Sequence, residues 1–363
     1  MKRSSHITLE DIARRLKVSR VTVSKALRGH PDISEETTAR VKKVASELGY
    51  TPNIIARNLS SRRSNMIGIV VPKIAHAFFG SVIEGIYNTA FERNYETILT
   101  VSQESAERER KHLQTLVAMR VDGIIISISK ETKTTDMFES IRRLGIPLLF
   151  FDRRPEPELP GFSSVLVDDR AGVFQAVEHA IKIGYRKLGF IGGDATINIG
   201  RNRLGGFEQA LNDYHIPINK NWISTGGYGK DDGYLGLKNI YNTGHMPEFI
   251  FAATYPVALG IYEAAKELGL KIPDDLDLIC FGDSDVGKFI SPALSVIRQP
   301  THEMGVRAVQ IMLDNIASPE VTREHHVILP TQLLLRETCV EKRAQTKDSF
   351  EKVVKLKPHV GPN

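Results

Sequence analysis

The sequence predicts a small all-α helix-turn-helix head followed by an α/β body of parallel sheets covered by helices. Three observations carry this prediction. Two short amphipathic segments, TLEDIARRLKVSRVTVSKAL, stand at residues 8–27. Charge is partitioned, since residues 1–65 hold 14 Lys+Arg against 6 Asp+Glu, a net of +8, while residues 66–363 hold 34 against 37, a net of −3. From Met66 onward, strand-length apolar runs alternate with helix-length segments, as repeated βα units do.

The head is read first. Thr8 followed three residues later by Asp11 resembles a capping box, and Ile12, Ala13 and Leu16 then fall on one helical face. Ser19 caps a second helix that carries Val23, Ala26 and Leu27 inward and leaves Arg20, Val21, Thr22, Ser24 and Lys25 pointing out. Two such helices cannot bury a core alone. Residues 34–48 supply a third, with Ser34 as cap, Val41, Val44, Ala45 and Leu48 as its apolar stripe, and Gly49 as its end. The arrangement suits a second helix that enters the DNA major groove, and a basic head on a mildly acidic body fits a first segment that meets phosphate. Short amphipathic helix pairs also occur in proteins that never touch DNA, so the residues alone leave that alternative open.

The linker YTPNIIARNLSSRRSN follows. Pro52 disfavours helix at Thr51, and residues 53–60 have length for about two turns, marginal in isolation because nucleation is costly. Ile55, Ala56 and Leu59 share a face, with Arg57, Arg62 and Arg63 as charges. The segment is a solvated tether or a hinge helix that folds on DNA and wedges an apolar side chain between base steps.

In the body, strands are expected at residues 67–71, 97–101, 123–127, 147–151, 188–191, 249–252 and 276–281. Helices are expected at 79–93, 108–120, 170–183, 203–214 and 256–268. The Pro-rich break RRPEPELPG near residues 155–161 suggests two lobes. A ligand in such sheets lies outside the strand C-termini, so the residues that follow strands are the informative ones.

Several functions are disfavoured. The phosphate-loop pattern fails at Lys230, where Asp231 follows and Ser224 stands in place of glycine. GDSDV ends in Val286, unlike a nucleophile elbow. No GxGxxG opens a helix after a strand, and adjacent His325 and His326 would face opposite ways in a strand, making a poor metal pair. No catalytic residue, metal or cofactor is expected. The longest apolar runs are too short to span a bilayer, MKRSSHITLED has no apolar core of a secretory signal, and Cys280 and Cys339 are too few for a disulfide framework. A reducing bacterial cytoplasm is the expected compartment.

The head and linker motifs ITLEDIARRLKVSRVTVSKALRG and YTPNIIARNL resemble the lactose-repressor (LacI/GalR) family of bacterial transcription regulators. The resemblance continues through IGIVVP, VDGIIIS, GFIGG, RLGGFEQAL and PALSVIRQP, in that order, and so spans residues 7 to about 338. It implies a periplasmic-binding-protein-like core whose chain crosses between two similar lobes three times. The implied parts are a head at 1–50, a hinge at 51–65, and a core at 66–340. Lobe 1 takes about 66–162 and 292–324, and lobe 2 about 163–291 and 325–340. A tail at 341–363 is expected to be disordered, with a short helix around 350–356.

The resemblance also implies site residues. Arg20, Val21 and Lys25 occupy positions that read base edges; Thr22, Ser24 and Asn53 resemble positions that meet or orient phosphate; Thr8, Ser19, Ala56 and Arg57 complete the DNA-facing set. Lys25 has the reach for guanine O6 and N7, while Val21 can only sense a thymine methyl or exclude a wrong base. Leu59 matches the leucine inserted at the centre of the palindrome. For an effector, Phe78, Phe79, Asp152, Arg203, Phe251, Thr254, Tyr255 and Asp283 are implied. Paired phenylalanines are also ordinary core residues, and Asp152 with Arg153 is equally a solvated loop pair. The family has Asn-Asp where this chain has Thr254-Tyr255, and an aspartate at Gly282, which puts its usual sugar-type effector in doubt. Asp283 is the nearest substitute.

The expected partners are a double-stranded DNA operator, a small-molecule effector (a sugar or related metabolite) and a second copy of the chain, without a membrane. The expected function is that of a DNA-binding transcriptional regulator, most simply a repressor, controlled through the cleft between the lobes. Two alternatives stand beside it: control by a protein corepressor, or a small-molecule binder with a non-specific head.

Overall fold

The computed structural model describes residues 7–50, 63–284, 287, 289–318 and 324–340, with the backbone of 352–354. The chain forms two compact units, residues 1–64 and 65–363. In the first, α1 (Leu9–Leu16), α2 (Arg20–Leu27) and α3 (Glu35–Glu47) bury Ile12, Ala13, Val23, Ala26, Val41 and Ala45 in a small common core. So few buried side chains make end effects count, and each helix is capped. Thr8 and Asp11 close a reciprocal capping box, Ser19 accepts from Thr22 N, and Ser34 accepts from Thr37 N. The expected hinge at 51–62, with Asn53, Ala56, Arg57 and Leu59, lies outside the described residues.

The second unit holds two sheets. The first has the order β11-β5-β4-β3-β1-β2, built from β1 (Met66–Val71), β2 (Glu96–Val101), β3 (Gly123–Ile126), β4 (Leu148–Phe151), β5 (Ser163–Val167) and β11 (His326–Leu329). Every pairing in it is parallel. The second comprises β6 (Leu188–Ile191), β7 (Ile223–Ser224), β8 (Phe249–Ala252), β9 (Asp277–Phe281), β10 (Ser295–Arg298), β12 (Gln332–Leu335) and β13 (Lys352–Val354), in the order β13-β12-β10-β9-β8-β6-β7. It is parallel from β7 to β10 and antiparallel beyond. The inner strands β3, β4, β6, β8 and β9 are buried along their whole length, which is why all but β9, with Asp277 at its start, read as unbroken apolar runs.

Helices cover both sheets. In sequence they are α4 (Ala77–Glu92), α5 (Ala106–Ala118), α6 (Asp136–Arg143), α7 (Asp169–Lys182), α8 (Asn198–Asp213), α9 (Lys230–Asn242), α10 (Tyr255–Glu267) and α11 (Thr301–Ala317). α11 returns to the first lobe and packs on α4, while α7 packs on α8 and α9 on α10 in the second.

The three crossings between lobes fall after β5, between β10 and α11, and between β11 and β12. The first and third lie later in the chain than the expected boundaries near 162 and 325, because β5 and β11 pair with each other and close the edge of the first sheet; the second falls at the end of the expected stretch 291–299, since β10 still pairs with β9 in the second sheet. The short helix expected around 350–356 is instead strand β13, antiparallel to β12. The β-branched pair Val353-Val354 suits a strand, and the outer edge of β12 offers the backbone partners. Among the described residues no helix is long and apolar enough to cross a membrane, and no group of His, Cys, Asp and Glu is arranged to hold a metal ion.

Two helices of the first lobe meet through glycine. A Cβ on Gly85 of α4 would stand 2.5 Å from the carbonyl oxygen of His302, and one on Gly305 of α11 would strike the carbonyl oxygen of Val82. Gly80, in the same helix α4, has no atom within 4 Å of its Cβ position. Gly305→Ala should therefore destabilise the chain by about 1–3 kcal/mol through overpacking. Gly80→Ala should stabilise it by up to about 1 kcal/mol through helix propensity. Urea unfolding of the two variants checks for the opposite signs.

Candidate functional site: an exposed recognition helix and an interlobe cleft

In the head, the DNA-facing residues expected on α2 cluster on one exposed surface. Ser19, Arg20 and Val21 are exposed, Thr22, Ser24 and Lys25 are half-buried, and Val21 leaves 64% of its surface in water. An exposed valine beside two cations contributes nothing to the head's core. The polar members are partly engaged already. Ser19 Oγ accepts from Thr22 N at 3.0 Å and lies 2.8 Å from the Thr22 hydroxyl, so this pair fixes the start of the helix as well as facing outward. Thr8 similarly donates its backbone N–H and hydroxyl to Asp11 Oδ2, at 2.9 and 2.7 Å. Those bonds hold the Asp11 carboxyl below its ordinary range.

The second site is a cleft of about 520 Å³ between the lobes, at the C-terminal ends of the strands. Of the expected effector residues, Phe78, Phe79, Asp152, Arg203, Thr254, Tyr255 and Asp283 all line it. Phe251 does not. It is the third residue of β8, fully buried and stacked on Phe190 with centroids 6.0 Å apart, so its ring belongs to the packing beneath the cleft. Phe79 serves as both core and wall, edge-on to Phe78 and Phe151 at 5.1 and 6.2 Å.

Asp152 and Arg153 are buried, which removes the reading of them as a solvated loop. Asp152 adopts a left-handed backbone with φ 58°, a conformation aspartate tolerates better than most side chains. Its carbonyl accepts from Asn198 Nδ2 at 2.9 Å, and Arg154 N donates to Asn198 Oδ1 at 3.2 Å. Asn198 begins α8 of the second lobe, so one buried amide joins the lobes at the back of the cleft. Arg153 donates to both oxygens of Glu104 at 3.0 and 2.9 Å, and its guanidinium lies 4.9 Å from the Tyr228 ring centroid. Burial pushes the Asp152 carboxyl up to about 6, with the Arg153 and Arg203 charges opposing the shift. Behind it, burial raises Glu109 to about 7 although the carboxylate accepts from Thr132 Oγ1 and Ser129 N. Burial also lowers His76, assisted by Lys73 and Arg153, and so favours the neutral imidazole at the cleft wall.

Arg203 departs from its expected place at a helix start. α8 begins five residues earlier, at Asn198, so Arg203 stands in its second turn and is 3% exposed. Its Nε donates to Asp169 Oδ1 and its Nη1 to the carbonyl oxygen of Ala253, each at 2.7 Å, and its guanidinium lies 3.9 Å from the Phe281 centroid. Asp283 is not left to replace the acidic groups missing at Tyr255 and Gly282. Arg298 donates to its Oδ2 at 3.0 and 2.9 Å, and Arg336 reaches both oxygens at 2.9 Å. Thr254 is also committed: it caps α10 and donates to the Tyr228 carbonyl oxygen at 2.9 Å.

Tyr228, Phe281, Arg298 and Gln299 also line the cleft, and sequence reasoning did not single them out. Phe281 and Arg298 end their strands and were accessible to the rule that pointed to Asp152. Tyr228 follows a strand of only two residues, β7, which leaves no readable period.

Comparison with known proteins adds a second line of support. The profile described as "Bacterial regulatory proteins, lacI family" matches residues 8–53, and that of a "Periplasmic binding protein-like domain" matches residues 177–339. The ribose operon repressor of Haemophilus influenzae is 31% identical over 327 residues, 90% of this chain and 97% of that one. The HTH-type transcriptional repressor PurR of Klebsiella pneumoniae is 31% identical over 313 residues, 86% and 91% of the two chains. The lac repressor dimer bound to operator and the anti-inducer ONPF has a TM-score of 0.81 at 24% identity, covering 93% of this chain and 100% of that one, a likeness of fold.

The cleft carboxyl generates a pH prediction. Folded Asp152 holds its proton up to about pH 6, whereas the ordinary value is 3.8, so the folded state binds the extra proton between them. Stability from this group is fully present below pH 3.8 and is lost as pH rises through about 6. Relative to Asp152→Asn, the wild type should lose unfolding free energy from about pH 4 to 7, with no further change above. Urea unfolding of both proteins across that series checks it.

Proposed function

The chain belongs to the lacI family of bacterial regulatory proteins, and from that premise we propose how its residues divide the work of a small-molecule-controlled, DNA-binding transcriptional regulator. Two copies present their heads to a near-palindromic operator, because two-fold protein symmetry mirrors that of the DNA. In each head Arg20, Val21 and Lys25 read base edges, while Thr8, Ser19, Thr22 and Ser24 meet or orient phosphate. Asn53, Ala56, Arg57 and Leu59 act in the hinge, with Leu59 as the apolar wedge. The observation that carries this reading is Val21, an apolar side chain held in water on a capped helix between two cations. Its exposure is explained if it meets a base.

In the body, Phe78, Phe79, Asp152, Arg203 and Tyr255 contact the effector. Thr254 and Asp283 shape the cleft through bonds within the protein, and Phe251 supports the wall. A ligand touching Asp152 in one lobe and Arg203 in the other binds one lobe angle better than another, and so shifts the balance between angles. The hinges respond because ordering them costs conformational entropy. Repression is the mode that the related proteins support. We read the chain as non-catalytic, since no complete constellation of nucleophile, base and oxyanion donors was found in its sequence. A regulator of the chromosome works in the bacterial cytoplasm, on the nucleoid.

Two outcomes are expected. Leu59→Ala should weaken binding to a selected palindromic duplex by at least about tenfold while leaving a scrambled duplex within about twofold, measured by fluorescence anisotropy at about 150 mM salt. Equal losses on both duplexes would refute the wedge. A metabolite library screened by thermal shift should contain a compound that stabilises the wild type. Phe78→Ala should remove most of that shift without changing duplex affinity. A screen without a stabilising compound would favour a protein corepressor instead.

A further inference from the structure

Lys25, the residue assigned to guanine, already has a partner. Its Nζ lies 2.7 Å from Asp32 Oδ2, in the turn between α2 and α3. The carboxylate is half open to water, with 58% of its side-chain surface exposed against 34% for Lys25. His30 Nδ1 stands 3.3 Å from the same oxygen and accepts from Asp32 N at 3.3 Å. Lys25 lies in the last turn of α2, and the turn that holds Asp32 follows the C-terminal end of the helix.

We propose that Asp32 is a specificity-determining residue that competes with DNA for Lys25. The inference rests on α2 being the groove-reading helix. An ammonium is a compact charge with three donors and follows whichever acceptors serve it best. Guanine offers O6 and N7 together, enough to draw Lys25 from a solvent-exposed carboxylate. An A·T pair offers only a single acceptor on each base, adenine N7 beside an amino donor or thymine O4 beside a methyl, and leaves Lys25 more often on Asp32. A single phosphate also competes with Asp32, so the pair withholds one cation from sequence-independent binding. Discrimination thereby gains a repulsive element beside the attractive one.

The test uses the full chain, the best palindromic duplex from a random-pool selection, and a scrambled duplex of the same composition. Asp32→Asn keeps the shape and removes the competitor. Its affinity for the scrambled duplex should rise by about three- to tenfold, its affinity for the selected duplex by about twofold or less, and its salt dependence on scrambled DNA should steepen by about one phosphate contact. Glu36→Gln, the same charge change at the exposed start of α3, should leave discrimination unchanged. In a Lys25→Met background, Asp32→Asn should have no effect on discrimination. Equal gains from Asp32→Asn and Glu36→Gln, or a gain that persists without Lys25, would reduce Asp32 to a general charge and overturn the inference. A loss of selected-duplex affinity in Asp32→Asn would overturn it too, by showing that Asp32 presents Lys25. A wild type that does not distinguish the duplexes would instead refute the DNA-reading assignment on which the inference stands. Unchanged thermal melting of each variant establishes that the head is folded.

Discussion

A guanidinium cannot be buried beside apolar strand ends unless its charge is matched and its donors are bonded. Arg203 meets that constraint with the Asp169 carboxylate, the Ala253 carbonyl oxygen and the face of Phe281. Each partner comes from a different element. Asp169 opens α7 directly after the first crossing between lobes, Ala253 follows β8, and Phe281 ends β9. One buried cation therefore locates the ends of two strands, the start of a helix and the chain crossing relative to each other. The pair need not add net stability. Its consequence is geometric, because removing either partner alone would strand a charge in the interior.

The rest of the cleft extends the same principle. Arg153 is matched by Glu104 and Asp283 by Arg298 and Arg336, and Arg153 lies over the Tyr228 ring. Asp152 is the exception. Among the described residues the one ion pair it forms is with Arg153 Nε at a loose 4.0 Å, and burial raises it toward neutrality against the charges of Arg153 and Arg203. It is thus the acidic group of the cleft most open to a new partner, and its neighbour across the lobes, Asn198, holds the backbone on which it sits. A ligand that bonds Asp152 acts on the residue whose carbonyl joins the two lobes. The head solves a different problem. Its core is too small to hold three short helices by burial alone, so Thr8, Ser19 and Ser34 supply the end bonds, and α2 is left free to expose Val21.

Much of this was legible in the chain. The three head helices follow from caps and apolar spacing, and strands such as β1, β6 and β8 follow from apolar runs with nothing polar to interrupt them. The cleft residues followed from strand ends combined with the family resemblance. What was not legible depends on long-range pairing. β5 follows a Pro-rich break and begins Ser163-Ser164, and β11 begins at His326; neither reads as a buried strand, yet each completes the other. The true start of α8 was hidden because Asn198 is set by the backbone around Asp152, 46 residues earlier. Asp283 looked available because its arginines stand 15 and 53 residues further on. Phe251 lies within its strand, and the cleft lining begins three residues later at Thr254, beyond the strand end.

The central claim is that the cleft and the head form one thermodynamic system. The measurement that tests it most directly is the affinity of the full chain for its selected duplex with the cleft empty and with it saturated by a stabilising metabolite, together with the reciprocal titration of the metabolite onto free and duplex-bound protein. The account predicts a change of about 5–150-fold in duplex affinity, in either direction, and the same factor in the reciprocal experiment. A metabolite that binds the cleft tightly, while duplex affinity stays the same within error, would contradict it.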